Sequence, residues 1–185
     1  GYRIKLLGIA KKRDQGIELR VHPTLIPEKR LIANVNGAMN AVVVKGNMVG
    51  PTLYYGAGAG ALPTASAVVA DLIDISRSSQ VPLHGFDESK IDSIPIYKID
   101  DAISGYYLRI RVSDKPGVLE SVAHVFASHG VSIQTVRQSG IGDKAELIVM
   151  THSSTELALA TTVKDLGKLP AVTDVASVLR VEGNI

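Results

Sequence analysis

Between Tyr106 and Val181 the spacing of apolar residues changes period in a fixed order, and that order leaves few folds open. Leu108, Ile110 and Val112 alternate with Arg109 and Arg111, which predicts a strand with one buried face. Ser113-Asp114-Lys115-Pro116-Gly117 reads as a turn into a helix whose apolar stripe is Val118, Val122, Val125 and Phe126, with Leu119 beside it. Gly130 stands where a glycine commonly ends a helix. Val131, Ile133 and Thr135 alternate again, 140–144 reads as a turn, and 145–150 as the next strand. Leu159, Val163 and Leu166 mark a helix over 154–168, and 175–181 closes as a strand. The order β-α-β-β-α-β predicts a four-stranded antiparallel sheet with two helices on one face.

The first half is less regular. Apolar runs at 4–10 and 17–21 flank the polar Lys11-Lys12-Arg13-Asp14-Gln15-Gly16, which predicts a hairpin. His22-Pro23 and Ile26-Pro27 are expected to break regular pairing after it. A short helix over 28–33 and a second hairpin, 40–45 with 48–55 about Gly46-Asn47, follow. Ala65, Val68, Val69, Leu72 and Ile75 have helical spacing, so a helix is expected from Thr64 to about Arg77, with Pro63 or Thr64 at its start. From Ser76 to about Ile103 the chain is rich in Ser, Pro and Gly and loses its periodicity. The expected division is 1–78, a linker over 79–103, and 104–185. The chain opens on Gly1 and enters a strand almost at once, as a piece of a longer protein would.

Composition excludes several functions. Positive and negative residues are interspersed around a net charge of only +2, with no basic stripe for nucleic acid. An RNA-recognition sheet needs exposed aromatics on its central strands, and 131–138 and 145–150 have none. The absence of Cys rules out a disulfide framework and a thiol nucleophile and fits a cytoplasmic setting. No run reaches the roughly 18 apolar residues of a membrane helix, and no signal peptide is visible. Aromatics are scarce, so aliphatic side chains must fill the core.

Two segments suggest ligand chemistry. Gly56-Ala57-Gly58-Ala59-Gly60-Ala61 follows a strand, precedes a helix and fits the dinucleotide pattern G-x-G-x-x-G/A. That pattern also wants an acidic residue about 20 positions on, where this chain has Ser78-Ser79-Gln80-Val81-Pro82. The glycines still let backbone approach a flat ligand, and a helix N-terminus follows; a tight strand-to-helix connection is the other reading. At 114–117, Pro116 at the first helical position and Gly117 would leave N–H groups open to a carboxylate, while Asp114 could hold an ammonium. A free amino acid has both charges; the alternative is that Asp114 only caps the helix. The histidines at 22, 84, 124, 129 and 152 have no metal-ligand spacing, so no metal site is expected. Asp71 and Asp74 lie one turn apart on a helix and read as a solvated face, and Lys5, Lys11, Lys12 and Arg13 as a charged hairpin end.

Three ordered segments carry a resemblance. Val21-His22-Pro23-Thr24-Leu25-Ile26-Pro27, Asn34 to Val42, and Tyr55 to Gly60 with Pro63 to Asp71 resemble homoserine dehydrogenase from Gly1 to about Ser78. The stretch from Tyr107 to Val181 is similar to an ACT domain, with Asp114-Lys115-Pro116-Gly117-Val118-Leu119 as its first turn. The fold implied is α+β: a partial catalytic-domain mixed sheet with a helix, followed by a βαββαβ ferredoxin-like ACT domain. The activity implied is NAD(P)-dependent interconversion of L-aspartate 4-semialdehyde and L-homoserine, in threonine and methionine synthesis. The family's catalytic Lys and Asp lie upstream of the position matching Gly1, so this chain alone is expected to carry no catalytic residue, to be inactive and to bind no cofactor tightly. Gly60, with Gly58 and Thr64, would meet the cofactor. Asp114, Gly117, Val118, Leu119, Ser132 and Gln134 would meet an amino-acid effector, expected to be L-threonine. ACT sheets commonly pair edge to edge, which implies a dimer or tetramer; assembly without any ligand is the alternative.

Overall fold

The computed structural model describes residues 1–77, 89, 91, 93–140 and 145–183. It divides into two compact units: Gly1–Pro27 with the chain from Pro95 onward, and the stretch from Glu28 to Ile94.

The first unit is built on one mixed sheet. β1 (Tyr2–Arg13) and β2 (Gly16–Pro27) form the predicted hairpin, in continuous register from Tyr2↔Pro27 to Arg13↔Gly16. The βαββαβ order follows as β5 (Ile103–Val112), α2 (Val118–Ser128), β6 (Ile133–Ser139), β7 (Ala145–Thr151), α3 (Glu156–Leu166) and β9 (Val172–Val181). A two-residue strand, β8 (Ser154–Thr155), pairs with the start of β5. Across the sheet the order is β1-β2-β9-β5-β7-β6, so β5 lies between β9 and β7 and β6 is the edge. The turn expected at 140–144 falls almost wholly outside the described residues.

Alternation decides which face is buried. Tyr106, Leu108, Ile110 and Val112 turn inward from β5 and Ala145, Leu147 and Val149 from β7. Val118, Val122 and Phe126 of α2 and Leu159 and Leu166 of α3 close over them. Gly130, at φ 69°, ends α2, and Val131 N–H donates to the Phe126 carbonyl at 3.0 Å, the six-to-one bond of a Schellman cap. α3 starts on Thr155, whose Oγ1 accepts from the Ala158 N–H at 3.2 Å.

Pro23 does not interrupt β2, contrary to the expected break: the strand pairs with β1 as far as Pro27. The Glu182 N–H donates to the Leu25 carbonyl at 3.0 Å, so Leu25 points its backbone groups away from β1. Residues two apart in a strand point alike, so the prolines sacrifice no bond of the β1–β2 ladder. The hairpin groups by contact with the chain from Pro95 onward. β2 runs parallel to β9 at Thr24↔Arg180 and Leu25↔Val181, and Ile17 exchanges bonds of 2.9 Å with Pro95 and Tyr97. The end of the expected linker is therefore structured: it docks on β2, makes a 3-10 turn at Ile99–Asp101 and enters β5. The rest of that linker lies largely outside the described residues.

In the second unit, a 3-10 turn at Leu31–Asn34 replaces the short helix expected over 28–33. β3 (Met39–Gly46) and β4 (Gly50–Ala57) form the second hairpin. α1 spans Ala61–Arg77, three residues earlier than expected at its start, which places Pro63 inside the first turn, where a missing N–H costs no helix bond. None of the 17 residues of α1 is buried, although Leu62, Val68, Val69, Leu72 and Ile75 are apolar. β3 and β4 likewise leave Val42, Val44, Tyr54 and Tyr55 exposed. This unit has the strands and helix of a folded domain but not the packing partners that such apolar surface calls for.

Candidate functional site

The glycine loop lies in the second unit. The Gly58 N–H donates to the Ala38 carbonyl at 3.2 Å, and a Cβ at Gly58 would stand 1.7 Å from the Asn40 Nδ2. Gly60 precedes α1 at φ 129°, and its carbonyl accepts from the Thr64 N–H at 3.1 Å. Gly58, Gly60 and Thr64 thus sit on one connection, with Thr64 exposed one turn into the helix. The Thr64 N–H is used within α1 and Pro63 has none, so only the first amides of α1 face outward. The fit to a dinucleotide is partial: a surface that backbone can press against, with no strand-borne acid for the ribose following it among the described residues.

The turn at 114–117 lies at the end of β5. Gly117 is the N-cap of α2 in a left-handed conformation, φ 86°, so Pro116 stands outside the helix rather than at its first position. No side chain caps α2, and Asp114 instead accepts from the Gln138 Nε2 at 3.0 Å. The Val118 side chain is buried in the core and its N–H bonds the Lys115 carbonyl at 3.3 Å, which leaves little of it for a ligand. Asp114, Gly117 and Leu119 are exposed. An open groove of about 650 Å³ runs past Lys115, Gly117, Ser121, His124, Leu169 and Ala171.

Ser132 and Gln134 are exposed but stand at the opposite end of β6 from this turn. The register pairs Ile133 with Thr151 and Ser139 with Glu146, while Gln138 reaches Asp114. Gln134 is the extra residue of a bulge between Ile133 and Thr135. Within one chain the six expected effector residues therefore form two groups, and Gln138, which pattern reading missed, belongs to the first.

The sheet also contains a polar cluster that no motif announced. The inward residues of β2 are Glu18, Arg20, His22 and Thr24, all buried, while Leu19 and Val21 on the other face are exposed. Arg20 Nη1 donates to Ser104 Oγ at 2.6 Å, Nη2 meets Glu182 Oε1, and Nε lies 2.7 Å from Glu18 Oε1. Arg13 Nε donates to Glu18 Oε2 at 2.7 Å, and Lys11 Nζ to Glu182 at 2.9 Å. Beside them Glu156, at the start of α3, accepts from Arg180 Nε at 2.8 Å and from the Tyr106 hydroxyl at 2.9 Å. Burial, then the Glu156 charge, pushes the Tyr106 phenol well up, so it stays a donor.

His22 sits in this layer. Its Nδ1 is 3.0 Å from Thr24 Oγ1, and Nε2 meets no hydrogen-bond partner among the described residues. Burial lowers its pKa; the Pro23 carbonyl and Glu156 oppose this, while Arg180 and Arg20 add to it. The unfolded chain takes up the proton near pH 6.5 and the folded chain at lower pH. Stability is therefore complete above about pH 6.5 and declines as pH falls below it. Urea midpoints from pH 8 to pH 5 should show that decline, and His22→Gln should flatten it; an equal slope in both proteins would assign the effect elsewhere.

On the far side, His129 Nε2 lies 2.8 Å from Asp165 Oδ2, joining the end of α2 to α3. Lys168 and then His129 hold the Asp165 carboxyl below its usual range.

Residues 1–73 match the family model "Homoserine dehydrogenase" and residues 106–171 the "ACT domain" model. A homoserine dehydrogenase from Neisseria gonorrhoeae is 48% identical over 190 residues, which take in 98% of this chain and 44% of that protein. One from Pseudomonas aeruginosa is 46% identical, with 98% and 44% covered. The crystal structure of a homoserine dehydrogenase from Thiobacillus denitrificans superposes with a TM-score of 0.90 at 47% identity, over 99% of this chain and 43% of that one. The chain spans less than half the length of the curated relatives it matches. Over nearly its whole length the chain is similar to homoserine dehydrogenases, of which it carries one segment joined to an ACT domain.

Proposed function

We propose that this chain works as the regulated portion of an NAD(P)-dependent homoserine dehydrogenase that interconverts L-aspartate 4-semialdehyde and L-homoserine, on the route to threonine and methionine. The observation that carries this reading is the joining, in one chain, of the 1–73 and 106–171 matches over nearly the whole length shared with the relatives. The bound cofactor would supply the hydride. The part of this chain is to place the Gly56–Gly60 backbone against it, with Gly58, Gly60 and Thr64 as contacts; the rest of the site would lie on other parts of the enzyme. The uncovered apolar side of α1 supports that division.

The ACT domain is the sensor in this proposal, with L-threonine as effector. Asp114 would bind the ammonium and the backbone about Gly117 the carboxylate. The separation of Ser132 and Gln134 from Asp114 supports a site shared between subunits. β6 is the edge strand, and antiparallel pairing of two copies along it would bring one copy's Ser132 end toward the other's Asp114 end. An assembly device without a ligand is the second reading, favoured by the same edge and by Val136 exposed along it.

Calorimetry of the chain with L-threonine separates the two. Sensing predicts saturable heat and at least tenfold weaker binding in Asp114→Ala, on the order of the 1.5–3 kcal/mol of a charged hydrogen bond. No heat at millimolar threonine, with an unchanged oligomer by light scattering, would leave assembly alone. The cytoplasmic location belongs to this proposal too; among the described residues no helix is long and apolar enough to cross a membrane.

A further inference from the structure

The buried polar layer joins two pieces of sequence with different family memberships. Lys11, Arg13, Glu18 and Arg20 belong to the segment matching homoserine dehydrogenase, while Ser104 and Glu182 flank the ACT match on either side. Arg20 is the hub, touching Glu18, Ser104 and Glu182 at once, with its side chain 2% exposed. Such a cluster is a poor source of net stability, because desolvation consumes much of the Coulombic gain. It is nevertheless strict about geometry. β2 meets β9 at only two residue pairs, so backbone pairing alone holds the hairpin weakly. A slip by one residue would put Leu19 and Val21 where Glu18 and Arg20 now sit, leaving Glu182 buried without a cation. The cluster also borders the ACT interior. Arg180 pairs in register with Thr24 and binds Glu156 at the start of α3. Tyr106 binds Glu156 through its hydroxyl, and its N–H donates to Thr151 Oγ1 at 3.0 Å. The next residue, His152, donates its N–H to the Ser132 carbonyl at 2.8 Å.

We propose that Arg20 and Glu182 are positioning residues that seat the β1–β2 hairpin on the ACT sheet in one register, making the hairpin part of the sensing module and the element through which effector occupancy leaves it. The second half of this proposal rests on the sensing function inferred above; the first does not. An assembly in which the hairpin merely leaned on the sheet would need no buried arginine with three partners.

Hydrogen exchange by mass spectrometry on the chain, with and without L-threonine, tests it. Without ligand, peptides covering 5–13 and 18–25 should exchange as slowly as those of β5 and β7. Arg20→Met should speed the hairpin at least tenfold and leave β5 and β7 unchanged. If that variant fails to fold, Arg20→Lys retains a cation that cannot span the three partners and should show the same split to a smaller degree. The triple variant Glu18→Leu, Arg20→Met, Glu182→Leu should recover the wild-type melting temperature, bind threonine as the wild type does, and lose the ligand-induced slowing of the hairpin. A hairpin that exchanges much faster than β5 in the wild type, or that ignores Arg20→Met and Arg20→Lys, overturns the seating. A triple variant whose hairpin still responds to bound threonine overturns the transmission. Absence of threonine binding in the wild type refutes the sensing function and with it the transmission, and leaves the seating to the ligand-free comparison.

Discussion

Phe126→Ala is expected to destabilise the ACT unit by about 3–5 kcal/mol, the usual cost of removing a buried phenylalanine. Phe126 is 0% exposed and belongs to one cluster with Leu108 and Ile110 of β5, Leu147 of β7 and Leu159 and Leu166 of α3. Only two phenylalanines occur in the chain and tryptophan is absent, and the other ring of this cluster, Tyr106, is held by its hydroxyl bond to Glu156. The aliphatic neighbours come from both helices and the central strands, and closing the cavity would need several elements to shift together. The Phe126 carbonyl also accepts the Val131 N–H that ends α2, so the side chain and the helix terminus are fixed at the same point. For a domain whose whole stability is about 5–15 kcal/mol, the loss is a large fraction. Urea unfolding followed by circular dichroism should show the midpoint falling with an unchanged slope. Leu119→Ala, next to Val118 on α2 but 45% exposed, should change it by less than about 1 kcal/mol. A Phe126→Ala midpoint no lower than that of Leu119→Ala would mean that the core is not organised about this ring.

The contrast between those two positions was readable in the sequence, and the reason is locality. Helical period at Val118, Val122 and Phe126, and alternation at Leu108, Ile110 and Val112, are fixed by neighbours along the chain. The βαββαβ order and the inward face of each element follow from them. The hairpin at 2–27 shows where that reasoning ends. Its two strands were legible, but the face that is buried holds Glu18, Arg20, His22 and Thr24, and the exposed face holds Leu6, Leu19 and Val21. Alternation announces two faces and says nothing about which one meets the sheet. Arg20 can be buried only because Ser104 and Glu182 lie beside it, 84 and 162 positions away. The proline rule failed at Pro23 for the same reason, since the direction of its missing N–H depends on which neighbours the strand finds. At the candidate effector site the turn at 114–117 was legible from Asp, Pro and Gly. The Gln138 contact was not, because it is set by the register of β6 on β7 and of β7 on β5.

The exposed apolar residues divide in a way that bears on function. The ACT unit buries its own helices, whereas α1, β3 and β4 of the other unit have apolar side chains and almost no interior. A sensor that folds by itself, next to a segment that needs other parts of an enzyme to cover it, is the arrangement expected if the proposed regulation is a detachable layer on catalysis. It follows that effects of core substitutions in the ACT unit should be measurable on this chain alone. Those at Val68 or Leu72 would register only in the presence of whatever covers α1.

Gly16→Ala is the substitution expected to separate the hairpin from the unit while sparing both. Gly16 closes the β1–β2 turn at φ 150°, and a Cβ there would stand 2.3 Å from the Pro95 carbonyl oxygen and 3.2 Å from its carbon. These are backbone atoms and cannot swing aside as a side-chain tip would. The same carbonyl accepts the Ile17 N–H at 2.9 Å, and the Ile17 carbonyl accepts from Tyr97, also at 2.9 Å. Accommodating one methyl group therefore means breaking both bonds, each worth about 1 kcal/mol, and adding backbone strain of about 1–3 kcal/mol at a position that favours glycine. The expected loss is about 3–5 kcal/mol, concentrated where 95–97 runs beside β2. It should appear as fast exchange of the Ile17 and Tyr97 amides, with the amides of β5 and β7 as protected as before. Gly56→Ala is the control, since nothing lies within 4 Å of a Cβ there, and it should leave those amides untouched. If Gly16→Ala instead lowers protection throughout β5 and β7, the docking of 95–97 on β2 is required by the whole ACT fold rather than by the seating of the hairpin.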